Sequence, residues 1–388
     1  MALIIGVDLG NYRSFPSCID NSDLSAARLG GKAIDLLPNE VTDGYPSVFF
    51  YSQAVAENCL KKSTTPPPWY GQDAVRNQAK PAAKRVRNFK RHMNEPLHVD
   101  DLDTNYDDLI TGMIQYLMRH ANEQLKIETL QTTDLLSLAY PAAFTASQRL
   151  HLKNLAEKAT LSDGTPVKVV GMIAEPAAAA LDYLVEHGRT DKETTVLVYD
   201  LGGGSFNLSI VTAYPQGRKA ENSDDIRYFD IHDTSGLKNL GGTEFDAAML
   251  KILEKKFKDV DATVNHDMLE RWAEIIKQEL SNQPEINIGI GNLVITRDEF
   301  EREAAPLIKR TVDEMKRFLD GYQGPKPEMI ILTGGSSKMP MVQRELEKAF
   351  PQFAGSVQKF RPSRAVSYGA ARYPYLMHSN RSFEQSDL

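Results

Sequence analysis

Cysteine is almost absent from this chain. There are two in 388 residues, Cys18 and Cys59, with no CxxC pair and no His-rich spacing beside either. That argues against a zinc site and leaves two readings, a disulfide between them or reduced thiols in a cytosolic protein, the second being simpler. Long apolar runs are also missing: no stretch reaches the roughly 18 residues of a membrane helix. The N-terminal MALIIGVDLGN has no basic flank and meets Asp8 at once, so it reads as a buried strand and not as a signal peptide. A soluble, cytoplasmic protein with no membrane partner is the expectation. A positive excess is lacking too: 45 Lys and Arg stand against 52 Asp and Glu, a net charge of −7, which argues against nucleic-acid binding. The local exception is Lys84, Arg85, Arg87, Lys90 and Arg91, read as a solvated basic helix face with one member left open for a phosphate. Catalytic signatures are absent as well. GLKNLGGT has Gly242 where a P-loop lysine belongs, and there is no GxSxG elbow, HExxH helix or GxGxxG fingerprint.

What is present suits two lobes of roughly 150–200 residues each, and a 41% hydrophobic fraction is enough for their cores. Three segments share one grammar, a β-branched and leucine-rich run followed by a glycine turn: Leu3–Gly10, Thr195–Ser205 and Met329–Ser337. Unalternated runs of this length fit strands buried on both faces. Two of them carry Asp-Leu-Gly half a chain apart, a weak internal repeat of two related lobes. Between them lie helical patterns. Phe245, Met249, Ile252, Leu253 and Phe257 fall on one stripe. The segment opened by Glu175-Pro176 has four alanines, Ala177 to Ala180, that invite close approach by another backbone. Loops are expected at Thr64–Pro68, Tyr214–Asp225 and Gly321–Pro327, and a fraying tail from His378.

An aspartate ending a buried strand before a glycine turn suits a phosphate site. Turn N–H groups point at phosphate oxygens, and the carboxylate organises magnesium through water. Asp8 with Gly10, and Asp200 with Gly202, Gly203 and Gly204, offer this from two lobes; the Gly-Gly-Ser turn at Gly334 is a third phosphate-type turn.

These turns, the Glu175-Pro-Ala-Ala-Ala helix start, YPAAFTASQR (Tyr140–Arg149) and TGGSSKMP (Thr333–Pro340) together resemble the nucleotide-binding domain of the seventy-kilodalton heat-shock chaperones, in order and spacing from Gly6 to about Ala371. The resemblance implies an α/β, actin-like ATPase fold with ATP or ADP and magnesium in a central cleft. It implies two lobes on ribonuclease-H-like mixed sheets. Lobe I spans residues 1–186, with subdomain IB at about 53–111, and lobe II spans 187–388, with subdomain IIB at about 243–322. Asp8 and Asp200 match the holders of the magnesium hydration shell. Lys90 matches a γ-phosphate lysine that positions the attacking water, and Glu175 a carboxylate near metal and water. Ser205 stands where the family has threonine. Gly10, Asn11, Tyr12, Gly202, Gly203 and Gly204 match the phosphate turns, and Gly241 and Gly242 the backbone near the ribose. Glu274, Lys277, Gln278 and Ser281 fall at the spacing of the adenosine-binding helix; Gly334, Gly335, Ser336 and Lys338 resemble the opposite wall. Pro141 and Arg149 match the pair that relays nucleotide state to a neighbouring domain.

Departures from that pattern matter as much. Tyr12 is bulky where the family carries threonine, and Asn207 replaces an aspartate. Gln278 replaces an arginine that stacks on adenine, giving up its cation–π contact. Lys338 replaces another arginine and loses the planar fork. RPSRAVSYGAA, from Arg361, lacks the usual acidic pair. The family's acidic-hydrophobic linker, peptide-binding domain and lid are not found after the last motif, so the expectation is either a fragment of a longer chaperone or a stand-alone domain. The expected function is slow ATP hydrolysis driving lobe rotation, with a co-chaperone or nucleotide-exchange factor as partner and a client reached only through a separate module. A nucleotide-sensing scaffold with little turnover, or another actin-superfamily protein (filament former or sugar kinase), are the alternatives.

Overall fold

A computed structural model describes residues 3–20, 32–38, 44–61, 68–77, 84–99, 101–187, 193–219, 226–259, 264–290 and 292–377. Residues 64–67 of the expected proline loop and the tail from His378 lie outside the described residues.

Two mixed sheets repeat one plan. In the first, the buried strand Ile5–Asp8 runs antiparallel to Arg13–Asp20, which pairs antiparallel with Lys32–Asp35. On its other side it runs parallel to Leu135–Tyr140, which is parallel to Lys168–Ala174. In the second, Thr194–Leu201 takes the central place, with Phe206–Lys219 and then Ile226–Leu237 antiparallel on one side. Met329–Thr333 and Val357–Lys359 follow in parallel on the other. The Asp-Leu-Gly strands thus occupy equivalent positions, and the repeat expected from sequence is a repeat of topology. Parallel strands covered on both faces have no solvent side for polar residues, which is why these runs do not alternate.

Two helices form the layer between the sheets, and they are exchanged. Glu175–His187 follows the last strand of the first sheet and packs against the second, where Ala177 to Ala180 join Val196, Val198 and Val211 in one cluster. Ala365–Met377 follows the last strand of the second sheet and packs against the first. The alanines allow the close approach: a Cβ on Gly369 would lie 1.8 Å from the carbonyl oxygen of Ala178. Beside the second sheet, helix Gly242–Asp259 buries Phe245, Met249, Leu253 and Phe257, with Ile252 packed at the margin of the cluster. Helix His266–Glu279 lies on it, the Trp272 ring 5.7 Å from that of Phe257.

Two local expectations change. The basic segment is not a helix face: Lys84–Val86 is a strand, Asn88 takes φ 60°, and Phe89–His92 is a single 3-10 turn. The left-handed residue and the short turn redirect the arginines away from one continuous stripe. Residues 214–219 are not loop either, since the strand Phe206–Lys219 continues through them. The turn formers there produce a ladder irregularity between Ala213 and Arg218 in place of a chain reversal. Residues 220–225 lie outside the described residues. Cys18 and Cys59 are buried thiols that form no disulfide.

Candidate nucleotide site

The two Asp-Leu-Gly strands end side by side at one edge of the helical layer, and their turns touch. A Cβ on Gly203 would lie 2.7 Å from the Cβ of Tyr12, and one on Gly204 would lie 2.4 Å from Nδ2 of Asn11. Glycine is required at both positions by the opposing turn. The carbonyl edge of the second turn is committed to neighbours. Gly202 accepts from Gly242 N–H at 2.9 Å and Ser336 Oγ at 3.0 Å, and Gly203 accepts from Thr243 N–H at 2.9 Å. Gly204 accepts from the Arg91 guanidinium. Gly202 N–H donates to the Ser205 carbonyl at 3.0 Å, which leaves the Gly203 and Gly204 amides to face an anion.

Below the turns lies a buried polar cluster. Lys90 Nζ meets Glu175 Oε1 at 2.5 Å, and the two side chains are 3% and 8% exposed. The Asn207 amide donates to Glu175 Oε2 at 3.4 Å and to Ser205 Oγ at 3.1 Å, and its carbonyl accepts from Ala142 N–H at 3.1 Å. Burial pushes the Asp8 carboxyl up to about 7, with the Glu175 charge adding to it and Lys90 pulling it back. Asp200 is driven well above the carboxylate range by burial, then by Glu175 and Asp8, against a hydrogen bond from Asn207 and the charge of Lys90. Three carboxyls face one ammonium. No group of three or more His, Cys, Asp or Glu among the described residues is close enough to ligate a metal directly. The negative surplus fits a hydrated divalent cation, because magnesium retains most of its water shell.

The remaining predicted residues lie outside this buried cluster. Gly241 and Gly242 start the Gly242–Asp259 helix, and Gly241 N–H donates to Glu244 Oε2 at 2.7 Å. Lys277 is buried, its Nζ 2.6 Å from Asp246 Oδ1 and 3.2 Å from the Gly242 carbonyl. Burial raises the Asp246 carboxyl while Lys277 lowers it. Glu274 and Gln278 lie on the same helix as Lys277, with Gln278 Nε2 3.5 Å from Glu274 Oε1, and Ser281 sits in the turn just after its end. On the facing wall Gly334 takes φ +82° against the Leu201 carbonyl. Gly335 has open space around its Cα, and Lys338 turns outward to Ser363 at 3.5 Å. Pro141 and Arg149 are linked locally: the Arg149 guanidinium lies 5.4 Å from the centroid of Tyr140, the residue before Pro141.

Sequence reasoning missed two cross-cleft arginines. Arg91 makes a fork to Glu244, Nη1 to Oε1 at 2.9 Å and Nη2 to Oε2 at 3.0 Å. Arg87 Nη1 lies 3.7 Å from Glu274 Oε2. The available signal was complementary: a basic run in the first half and, in the second, Glu244, Asp246 and Glu274 beside a glycine pair and on a helix.

A family model described as Hsp70 protein matches residues 72–385. The chain belongs to the Hsp70 family. It is a chaperone-type ATPase domain of the actin-like superfamily, mixed α/β and two-lobed. Hsp70 ATPase domains bind ATP, generally with magnesium, and the family works with co-chaperones and clients. The matched span starts after the turn at Gly10, Asn11 and Tyr12. Among the described residues, no helix is long and apolar enough to cross a membrane.

Proposed function

We propose that the cleft binds magnesium-ATP and hydrolyses it slowly, and that the change from ATP to ADP rotates lobe I, residues 1–186, against lobe II, residues 187–388. In this division subdomain IB is about 53–111 and subdomain IIB about 243–322. The observation that carries the reading is the buried Lys90–Glu175 pair at 2.5 Å, set between Asp8 and Asp200 at the ends of equivalent strands. A buried ion pair contributes little to stability by itself, so its place beside two further carboxyls favours a chemical role.

Asp8 and Asp200 would hold the hydrated magnesium, which supplies charge neutralisation for the phosphates. Amide groups of Gly10, Asn11 and Tyr12 and of Gly203 and Gly204 receive phosphate oxygens, with the Ser205 hydroxyl beside them. Lys90 holds the γ-phosphate and the attacking water, while Glu175 keeps that ammonium in place and accepts from the water. Water adds to the γ-phosphorus as the bond to the bridging oxygen breaks, giving ADP and inorganic phosphate. Positioning and charge do most of the work in such a transfer. Gly241, Gly242, Glu274, Lys277, Gln278 and Ser281 take the nucleoside, against Gly334, Gly335, Ser336 and Lys338.

A relay outward has a physical basis. Glu175 meets the Asn207 amide, whose carbonyl holds Ala142 N–H next to Pro141, and Arg149 stacks on Tyr140. A co-chaperone or exchange factor in the cytoplasm is the partner that would use it, and a client would be reached through a separate module. A second reading, a nucleotide sensor with little turnover, is favoured by one observation: Tyr12 lies across the cleft, its ring under Arg87. Single-turnover hydrolysis with magnesium and ATP tests the proposal. A slow, magnesium-dependent release of phosphate supports it, and binding without release selects the sensor. Calorimetry showing no heat with either nucleotide at high protein concentration would end both readings.

A further inference from the structure

Tyr12 leaves the first phosphate turn and reaches the nucleoside side of the opening. Its Cβ rests on Gly203 of the opposite turn, where an added Cβ would lie 2.7 Å away. The Arg87 guanidinium covers the ring, with Cζ 5.0 Å from the centroid. The Glu274 carboxylate lies beside the phenol and pairs with Arg87 at 3.7 Å. These contacts close a ring of three side chains drawn from three separate elements. Tyr12 comes from a turn of the first sheet, Arg87 from the segment after strand Lys84–Val86, and Glu274 from helix His266–Glu279.

The charges around the ring favour the closed arrangement. A cation over an aromatic face is attractive, and Arg87 serves the ring and the Glu274 carboxylate together. Burial and the nearby Asp246 and Glu274 charges raise the Tyr12 phenol, with Arg87 pulling the other way, so it stays protonated and able to donate. A threonine at this position has no ring for Arg87 to cover. The latch is a property of this chain's own residue.

We propose that Tyr12 gates the cleft: its side chain, held by Arg87 and Glu274, fills the path between the phosphate turns and the nucleoside wall, so a purine nucleotide enters only when the ring turns out. The inference rests on the reading of this cleft as the nucleotide site. It predicts that entry, and not the phosphate contacts, limits binding. The gate also ties the two sides of the opening together, so its release and nucleotide binding are one equilibrium.

The test is stopped-flow association of a fluorescent ADP analogue with magnesium, using the full chain and the variants Tyr12→Phe, Tyr12→Thr and Arg87→Ala. Tyr12→Phe keeps the ring under Arg87, so its association should match the wild type. Tyr12→Thr should give the largest increase and the tightest equilibrium binding, with Arg87→Ala between wild type and Tyr12→Thr. If all four proteins bind the analogue at one rate, the gate is wrong and the nucleotide site stands. Slower association in Tyr12→Phe and Tyr12→Thr would make Tyr12 a binding contact, which also overturns the gate. Loss of all binding in the wild type and every variant would overturn the site reading and the gate with it. Tyr12→Phe is the fold-preserving control, because it differs by one exposed-or-bonded hydroxyl and leaves the turn intact.

Discussion

Lys90→Ala separates the structural and chemical roles of the buried pair. In the nucleotide-free protein Lys90 Nζ sits 2.5 Å from Glu175 Oε1, and both side chains are under a tenth exposed. Removing the ammonium strands a carboxylate whose remaining partner is the Asn207 amide at 3.4 Å. Breaking one side of such a pair costs about 3–5 kcal/mol, and the long Asn207 contact offsets only a small part of that. The second effect is on chemistry. Loss of a preorganised charge from a dry site costs about 10²–10³ in rate, or about 2.7–4 kcal/mol of barrier. ADP lacks the γ-phosphate, so its affinity should change little.

Two measurements keep these effects apart. The urea midpoint of the nucleotide-free protein reads the stranded charge, and single-turnover phosphate release reads the chemistry. Adding Glu175→Gln to Lys90→Ala removes the stranded charge, so the double variant should regain much of the stability and none of the rate. Non-additivity in stability with failure to recover hydrolysis is the expected signature. An unchanged rate in Lys90→Ala, or hydrolysis restored in the double variant, would refute the reasoning and leave Lys90 as a structural ion.

Asn207→Asp should speed single-turnover hydrolysis by up to about tenfold, a positioning gain of about 1.4 kcal/mol. It should also lower the urea stability of the nucleotide-free protein by about 1–3 kcal/mol, because the amide donors to Glu175 and Ser205 are lost; equal rates would dismiss it as the cause of slow turnover. Gln278→Arg should tighten adenine nucleotides over guanine by about 0.5–2 kcal/mol in calorimetry, and unchanged affinity would show that this helix is not the adenine wall. Thr296→Ala removes the capping box of helix Arg297–Gly321, where Thr296 Oγ1 accepts from Glu299 N–H at 3.2 Å, and should cost about 0.5–2 kcal/mol in urea titration. Partial burial pushes the Glu299 carboxyl up, yet Lys256 at 2.8 Å and Thr296 outweigh it and hold it below the usual range. Its contribution is therefore full above the ordinary glutamate range and fades as pH falls through the lowered value, so the Thr296→Ala penalty should shrink in acid; a constant penalty from neutral to acid pH would contradict this.

The legible parts of the fold were those where one physical demand acts on a contiguous run. Within Thr194–Leu201 the residues Val196 to Val198 are fully buried, so successive positions must be apolar ahead of Asp200, and the run announces itself. Ala178 meets the backbone at Gly369 and Ala177 to Ala180 are all buried, so the alanine run marks a close approach that could be anticipated. Contacts across the cleft left no such trace. Arg87 and Glu274 are far apart in sequence, and each is an ordinary surface type; only the fold brings them together at 3.7 Å. Nor does local composition say whether Pro215 and Gly217 reverse the chain or interrupt a ladder, because the pairing strand Ile226–Leu237 decides it.

Asn207 shows how a departure from a family pattern acquires meaning only in three dimensions. In sequence it is an amide where a carboxylate is usual, which suggests a weakened site. In the structure it faces Asp200 across paired strands, donates to Glu175 and Ser205, and accepts from the backbone beside Pro141. A carboxylate in that place could accept from Ala142 N–H but could not donate to Glu175. It would add a fourth negative group to a cluster whose buried counter-charge is Lys90. The amide therefore joins the buried carboxyls to the proposed relay without adding charge, and on this proposal the hydrogen bonds that quiet the cluster in the absence of nucleotide are those a faster enzyme would have to give up. Asn207→Asp is therefore expected to move turnover and resting stability in opposite directions.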